Sequence, residues 1–156
     1  MEALVAISII MVAVTSPITI AQKGLSSAVY SKDQMIASYL AQDAIEYIKN
    51  IRDENVLNSR SWLTGVNANC FNVNTGCNFD TKDSTSISAD NPKQLSTSGG
   101  FYGLTGTPTK FIRNVTLTHL TYSDNIPLDD EYLITVRVDW GGNKNYLEVN
   151  DLMYNF

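Results

Sequence analysis

The sequence predicts an α+β fold, with a long N-terminal hydrophobic helix packed on an antiparallel β-sheet of about 3–4 strands. Three observations predict it. The chain opens on a long uncharged apolar stretch. Helical periodicity continues well past that stretch. The last third of the chain alternates apolar and polar residues with period two.

The first element is Ala3 to Gln22, twenty residues without a charge. As a helix it spans about 30 Å, the thickness of a bilayer core. A cleaved secretory signal needs a basic start, a shorter apolar run and a small-residue cleavage site. Only Met1 and Glu2 precede this run, and Glu2 is a poor cytoplasmic flank for a simple anchor. Beyond it Leu25, Val29, Ile36, Leu40, Ala44, Ile48 and Ile51 mark one helical face. Lys32, Asp33, Gln42, Asp43, Glu46, Lys49 and Asp53 mark the opposite face, with Lys49 and Asp53 spaced for an i,i+4 pair worth about 0.3 kcal/mol. No proline or glycine interrupts Leu25 to Leu57. The chain therefore divides into an apolar helix segment at 1–22, an amphipathic half of the same helix at 23–57 and a globular sheet domain at 58–156. Lipid or other helices must cover the first part, and the folded domain can cover the stripe on the second.

Two residues of the apolar segment need a reason. Glu2 stands at its start, where a carboxylate in hydrocarbon costs roughly 2.5 kcal/mol or more. Pro17 lies inside it and lacks the amide that would bond the carbonyl of Ala13. Singly, each has an ordinary explanation: headgroup placement for Glu2, and for Pro17 a kink that Thr15 and Ser16 help to satisfy.

Together they resemble a known family. MEALVAISII followed by a long amphipathic helix is similar to the type IV pilins and the pseudopilins of type II secretion. Those proteins carry a short basic leader ending in glycine. A prepilin peptidase removes it, and an N-methylated phenylalanine begins the mature chain. A glutamate follows a few residues later, and Glu2 matches it. AQDAIEYIKNIRDENV, Ala41 to Val56, resembles the end of the long helix in pilin-like proteins, minor ones in particular. The resemblance covers about the first third of the chain. It implies either that Met1 lies within the mature chain or that the start is assigned elsewhere. It also implies that Glu2 governs subunit assembly, and Pro17 stands close to the family's usual proline as a helix break.

The function implied is a structural subunit of a type IV pilus-like filament, polymerising through its N-terminal helix. Its partners would be copies of itself, other pilins, the prepilin peptidase, an assembly ATPase and a platform protein. It would sit in the cytoplasmic (inner) membrane before assembly and on the cell surface afterwards. The alternatives are a minor pilin or pseudopilin, and a monomeric membrane-anchored extracellular binding domain.

After Leu57 comes a polar exit, Asn58 to Gly65, with Trp62 and Leu63 as candidate core anchors. Cys70 and Cys77 follow in the turn-like CFNVNTGC. In a domain outside the cytoplasm they form an intra-loop disulfide, worth about 2.5 kcal/mol in the chain-entropy model; otherwise they are two buried thiols. Thr81 to Gly100 holds eight serines or threonines and reads as an exposed connection, with a short strand near Phe101 and Tyr102. Strands are expected around Phe111–Thr118, Tyr132–Trp140 and Tyr146–Tyr154, with a turn at Gly141-Gly142. An apparent change of apolar phase between Val149 and Leu152 predicts a bulge at Asn150 and Asp151.

Composition narrows the chemistry. Eleven basic against sixteen acidic residues give a net charge of −5, which opposes general nucleic-acid binding. One histidine and two cysteines cannot make a four-ligand Cys/His zinc site. His119, alone in a predicted strand, reads as structural. Asp124, Asp129, Asp130 and Glu131 read as an acidic turn rather than a calcium loop, since their order is not that of an EF-hand. No catalytic residue, metal or cofactor is expected, and the chain has no P-loop, so it does not supply the work of its own assembly.

Overall fold

The computed structural model describes residues 2–81, 87–88, 93–121, 127–142 and 144–154. Helix α1 runs Glu2–Leu57, and a 3₁₀ turn occupies Ala68–Phe71. The strands are β1 (Asn78–Phe79), β2 (Ile87–Ser88), β3 (Lys93–Ser98), β4 (Phe101–Gly103), β5 (Thr107–Thr121), β6 (Pro127–Trp140) and β7 (Asn145–Tyr154). β1 and β2 pair by themselves. The other five form one antiparallel sheet in the order β4-β3-β5-β6-β7. The fold is α+β as expected, with five strands in the main sheet rather than three or four. The chain separates into two compact units, Met1–Met35 and Ile36–Phe156.

In the second unit the core lies between α1 and the sheet. The helix contributes Ala37, Leu40, Ala41, Ala44, Ile45 and Ile48, all buried. Three of these are alanines, which let the helix approach the strands closely. Opposite them lie Phe111, Val115, Leu117, Ile134, Val136, Val138 and Trp140, the inward phase of β5 and β6. The stripe is shorter than the sequence implied. Leu25 and Val29 are 69% and 49% exposed. Residues 36–57 alone make roughly 33 Å of helix, already the width of a small domain.

The exit from α1 closes as a Schellman motif. The amide of Arg60 donates to the carbonyl of Asn55 at 2.8 Å, and that of Ser59 to Val56 at 3.0 Å. Ser59 takes the left-handed position, φ 51°, where glycine is usual. The buried Asn55 side chain donates to the carbonyls of Trp62 and Thr64, at 3.1 and 2.7 Å, and fixes the reversal. Trp62 and Leu63 pack against the core, as the sequence suggested. Ser59→Gly should stabilise the fold by about 0.5–1 kcal/mol, because it relieves the Cβ clash of the left-handed conformation. Urea unfolding of the two proteins checks this; a midpoint that falls or stays put would exclude strain at Ser59.

Cys70 and Cys77 are joined by a disulfide, with Cα atoms 4.7 Å apart and both residues buried. Asn67 caps the 3₁₀ turn, its Oδ1 accepting from the Asn69 amide at 2.9 Å. Asn72 repeats the device on Asn74, at 3.0 Å. Gly76 has φ +63°, and an added Cβ would lie 1.9 Å from Asn114 Oδ1. A side chain there would be strained at that φ and would have to displace Asn114. The loop is pinned to the sheet by a two-bond bridge between Cys77 and Val115, each bond 2.8 Å.

Three expectations are corrected. Lys93–Ser98, read as part of an exposed connection, is strand β3. It has one apolar side chain, Leu95, which is fully buried. It pairs with β5 on one side, and on the other the two-residue Gly99-Gly100 turn, both residues at positive φ, brings the chain back as β4. β7 has no bulge: its register runs without a break from Trp140 opposite Asn145 to Glu131 opposite Tyr154. Asp151 keeps the inward phase because Lys49 of α1 meets its carboxylate at 2.5 Å. Lys49 is therefore not paired with Asp53, whose partner is Arg52 at 2.7 Å. The Gly141-Gly142 turn stands where it was expected.

One buried charge organises the core. Arg113 falls in the inward phase of β5 between Phe111 and Val115. Its Nε donates to Asn78 Oδ1 at 2.9 Å, Nη2 to the Phe79 carbonyl at 2.7 Å, and Nη1 to the Leu40 carbonyl at 3.0 Å and Asp43 Oδ2 at 3.2 Å. Burial pulls its pKa below the usual arginine value, and Asp43 and then Asp80 oppose that shift. One side chain thus joins α1, β1 and β5.

Candidate assembly helix

The first unit is helical from Glu2 onward, and its apolar surface is bare. Leu4, Val5, Ile7, Ile9, Ile10, Met11, Val12, Val14, Ile18 and Ile20 are all exposed. α1 contains a stretch long and apolar enough to cross a membrane, and none of that stretch is buried. An apolar surface of this extent marks an interaction site or a membrane contact.

Three hydroxyls of the apolar segment, those of Ser8, Thr15 and Thr19, are closed off within the helix itself. Ser8 Oγ donates to the Leu4 carbonyl at 2.7 Å, Thr15 Oγ1 to Met11 at 3.0 Å, and Thr19 Oγ1 to Thr15 at 3.0 Å. Such back-bonding satisfies a hydroxyl where no water is available. The positions of Ser and Thr are visible in the sequence, and Thr15 does bond backbone close to Pro17. Besides the Met11 carbonyl, its hydroxyl reaches that of Val12 at 3.3 Å.

Glu2 is exposed in the first turn of α1, where the helix dipole favours an anion. Pro17 lies inside the helix, which continues through it. At 1.5 Å per residue the two are about 22 Å apart, so they do not form a common site. The Cys70–Cys77 bond belongs to the second unit.

His119 packs at a tilt against Tyr132, its cross-strand neighbour, with ring centroids 4.8 Å apart. Trp62 and Phe71 meet the same tyrosine edge-on, at 5.6 and 5.8 Å. The histidine is thus part of an aromatic cluster. Among the described residues no three His, Cys, Asp or Glu side chains gather to hold a metal ion. Tyr122 and Asp124 lie outside the described residues, whereas Asp129, Asp130 and Glu131, expected in an acidic turn, fall within strand β6. Comparison with protein-family models, curated proteins and solved structures gives no match.

Proposed function

We propose that the chain is a structural subunit of a type IV pilus-like filament, held in the membrane by the first part of α1 before assembly. The observation that carries this reading is the wholly unburied apolar segment of α1, joined to a second unit that has its own core. The apolar helix passes from lipid to a bundle of neighbouring helices, so its surface stays covered throughout. The sheet unit forms the outer surface of the fibre. A prepilin peptidase, an assembly ATPase and a membrane platform protein complete the proposed machinery. The role involves no catalytic step.

Electron microscopy of fibres sheared from cells, with mass spectrometry of their N-termini, tests the proposal. Fibres built from this chain support it. A chain found only as a membrane-bound monomer would favour an anchored binding domain instead. A trace component of such fibres would be a minor subunit.

Removal of residues 1–22 should yield a soluble, folded monomer, because the core elements all lie from Ala37 onward. Size exclusion and circular dichroism report the result. Insoluble or unfolded product in an oxidising buffer would mean that the apolar segment is needed for folding as well as assembly.

In the filament we expect α1 to lose regular helix between Ala13 and Gly24. Pro17 cannot supply an amide, and the β-branched Val14, Thr15, Ile18 and Thr19 are only moderate helix formers. A filament map with straight helix through this stretch would remove Pro17 from the mechanism.

A further inference from the structure

The first part of α1 has an internal order. Ile7, Met11, Val14, Ile18, Ala21, Leu25, Ala28, Lys32 and Met35 follow one another at alternating steps of four and three residues. Eight of the nine are apolar, and all nine are exposed. Of the polar residues from Ser8 to Gln34, only Lys32 falls on this line. Ser8, Thr15 and Thr19 lie off it, as do Pro17 and Gly24.

That spacing is the heptad pattern of a coiled-coil seam, sustained over four heptads. Lipid covers an apolar face whatever its period, so Ile7 to Ala21 alone would not call for a helix. The stretch beyond Gln22 does. Lys23 to Met35 mixes lysine, serine, aspartate and glutamine with apolar residues, and Leu25, Ala28 and Met35 still keep the phase. Leu25 and Met35 are 69% and 60% exposed, so the sheet does not claim them. A period of 3.5 residues specifies another helix as the cover.

We propose that α1 pairs through this seam with α1 of a second copy, as a parallel, in-register dimer in the membrane before assembly. Copies inserted in one membrane share a direction, which makes the pair parallel. In register, Ala21 meets Ala21 and Ala28 meets Ala28, and small residues let the backbones approach closely. Lys32 selects this alignment. It lies about 15 Å along the helix from Gln22, beyond the apolar stretch. An antiparallel pair would set it against Ile10 and Met11 of its partner, a charge inside the apolar segment. Facing its own counterpart in water it costs some stability and fixes the register. The chain carries a net charge of −5, and the seam lets two copies meet through residues that are otherwise uncharged. The seam needs the unbroken helix that α1 has from Val14 to Leu25. It therefore belongs to the membrane state, since the fibre is expected to lose helix there. This goes beyond the filament reading: it requires membrane insertion but no fibre.

The test uses the purified full chain in phosphatidylcholine vesicles, where no other protein is present. Cys70 and Cys77 are bonded to each other and no cysteine is free, so a single added cysteine is the only thiol. Ala28→Cys and Met35→Cys lie on the seam, and Ser27→Cys and Gln34→Cys lie off it, all at exposed positions. On mild oxidation the two seam variants should form disulfide-linked dimer at least about tenfold faster than the other two, which measure chance collision. Met35 stands at the end of the seam, so a link between two Met35→Cys chains reports a parallel pair. Adding Lys32→Leu to Met35→Cys should speed linking by about threefold or more, because it removes the one like-charged layer. The proposal is overturned if the four positions link at equal rates, if none exceeds the off-seam rate, or if Lys32→Leu leaves linking unchanged or slows it. Fibres play no part in these readouts, so the filament reading stands or falls separately.

Discussion

Arg113→Ala should lower the stability of the sheet unit by about 3–5 kcal/mol, the largest loss expected of any single substitution there. The change takes donors from the Phe79 and Leu40 carbonyls and from Asn78, and leaves a void between helix and sheet. Arg113→Met restores most of the volume but none of the donors, so it should recover only part of the loss. Asp43→Asn should cost about 1 kcal/mol or less, since the Asp43 side chain is 47% exposed and solvent replaces much of what it loses. The order Ala, Met, Asn separates hydrogen bonding from packing and from charge. Urea midpoints for the three variants decide it. An Arg113→Ala protein within 1 kcal/mol of the parent would show that the helix and sheet do not depend on this clamp.

Glu2→Ala should leave insertion, folding and the Cys70–Cys77 bond intact, yet enter filaments poorly. By the proposed reading its carboxylate pairs with the N-terminal amine of its own or a neighbouring subunit in the apolar fibre core. A charge without a partner is costly there, and a close, hydrogen-bonded pair recovers much of the cost. The helices could slide along one another with little loss of apolar contact, so the pair sets the register. Glu2→Gln should be intermediate or equally poor. If Glu2 only rests among lipid headgroups, neither change matters. The measurement is incorporation of the mutant, expressed as the only copy, together with fibre number and length. Normal values for Glu2→Ala would falsify the register role.

Much of this architecture could be read from periodicity. β5, β6 and β7 follow from alternation, and α1 follows from the spacing of Leu40, Ala44 and Ile48. What escaped did so for a common reason: the deciding partner is distant in sequence. Asp151 mimics a change of phase until Lys49 of α1 is seen to meet it. Arg113 breaks an apolar phase until Asn78, Phe79 and Leu40 are seen to receive it. β3 carries one core residue, Leu95, and owes its place to the ladder with β5 and to the Gly99-Gly100 turn. In the helix, Glu2 and Pro17 were visible as anomalies because their surroundings are uniform, whereas the closure of the hydroxyls needed coordinates.

The ties between α1 and β7 also set a timetable. Lys49 and Asp151 are 102 residues apart, as are Arg52 and Tyr154, whose carbonyl accepts from Arg52 Nη1 at 3.2 Å. Translation delivers the helix long before the strand. Until β7 emerges, Lys49 and Arg52 have no anchor there, and Met153 cannot complete the core. Pairings between distant parts of a chain carry a large loop-closure cost and form slowly. The greasy face of α1 is thus born uncovered and stays so until the strands that cover it, β5 and β6 and then β7, have been made. A factor that guarded the chain during synthesis would have to cover that face until β7 had been made.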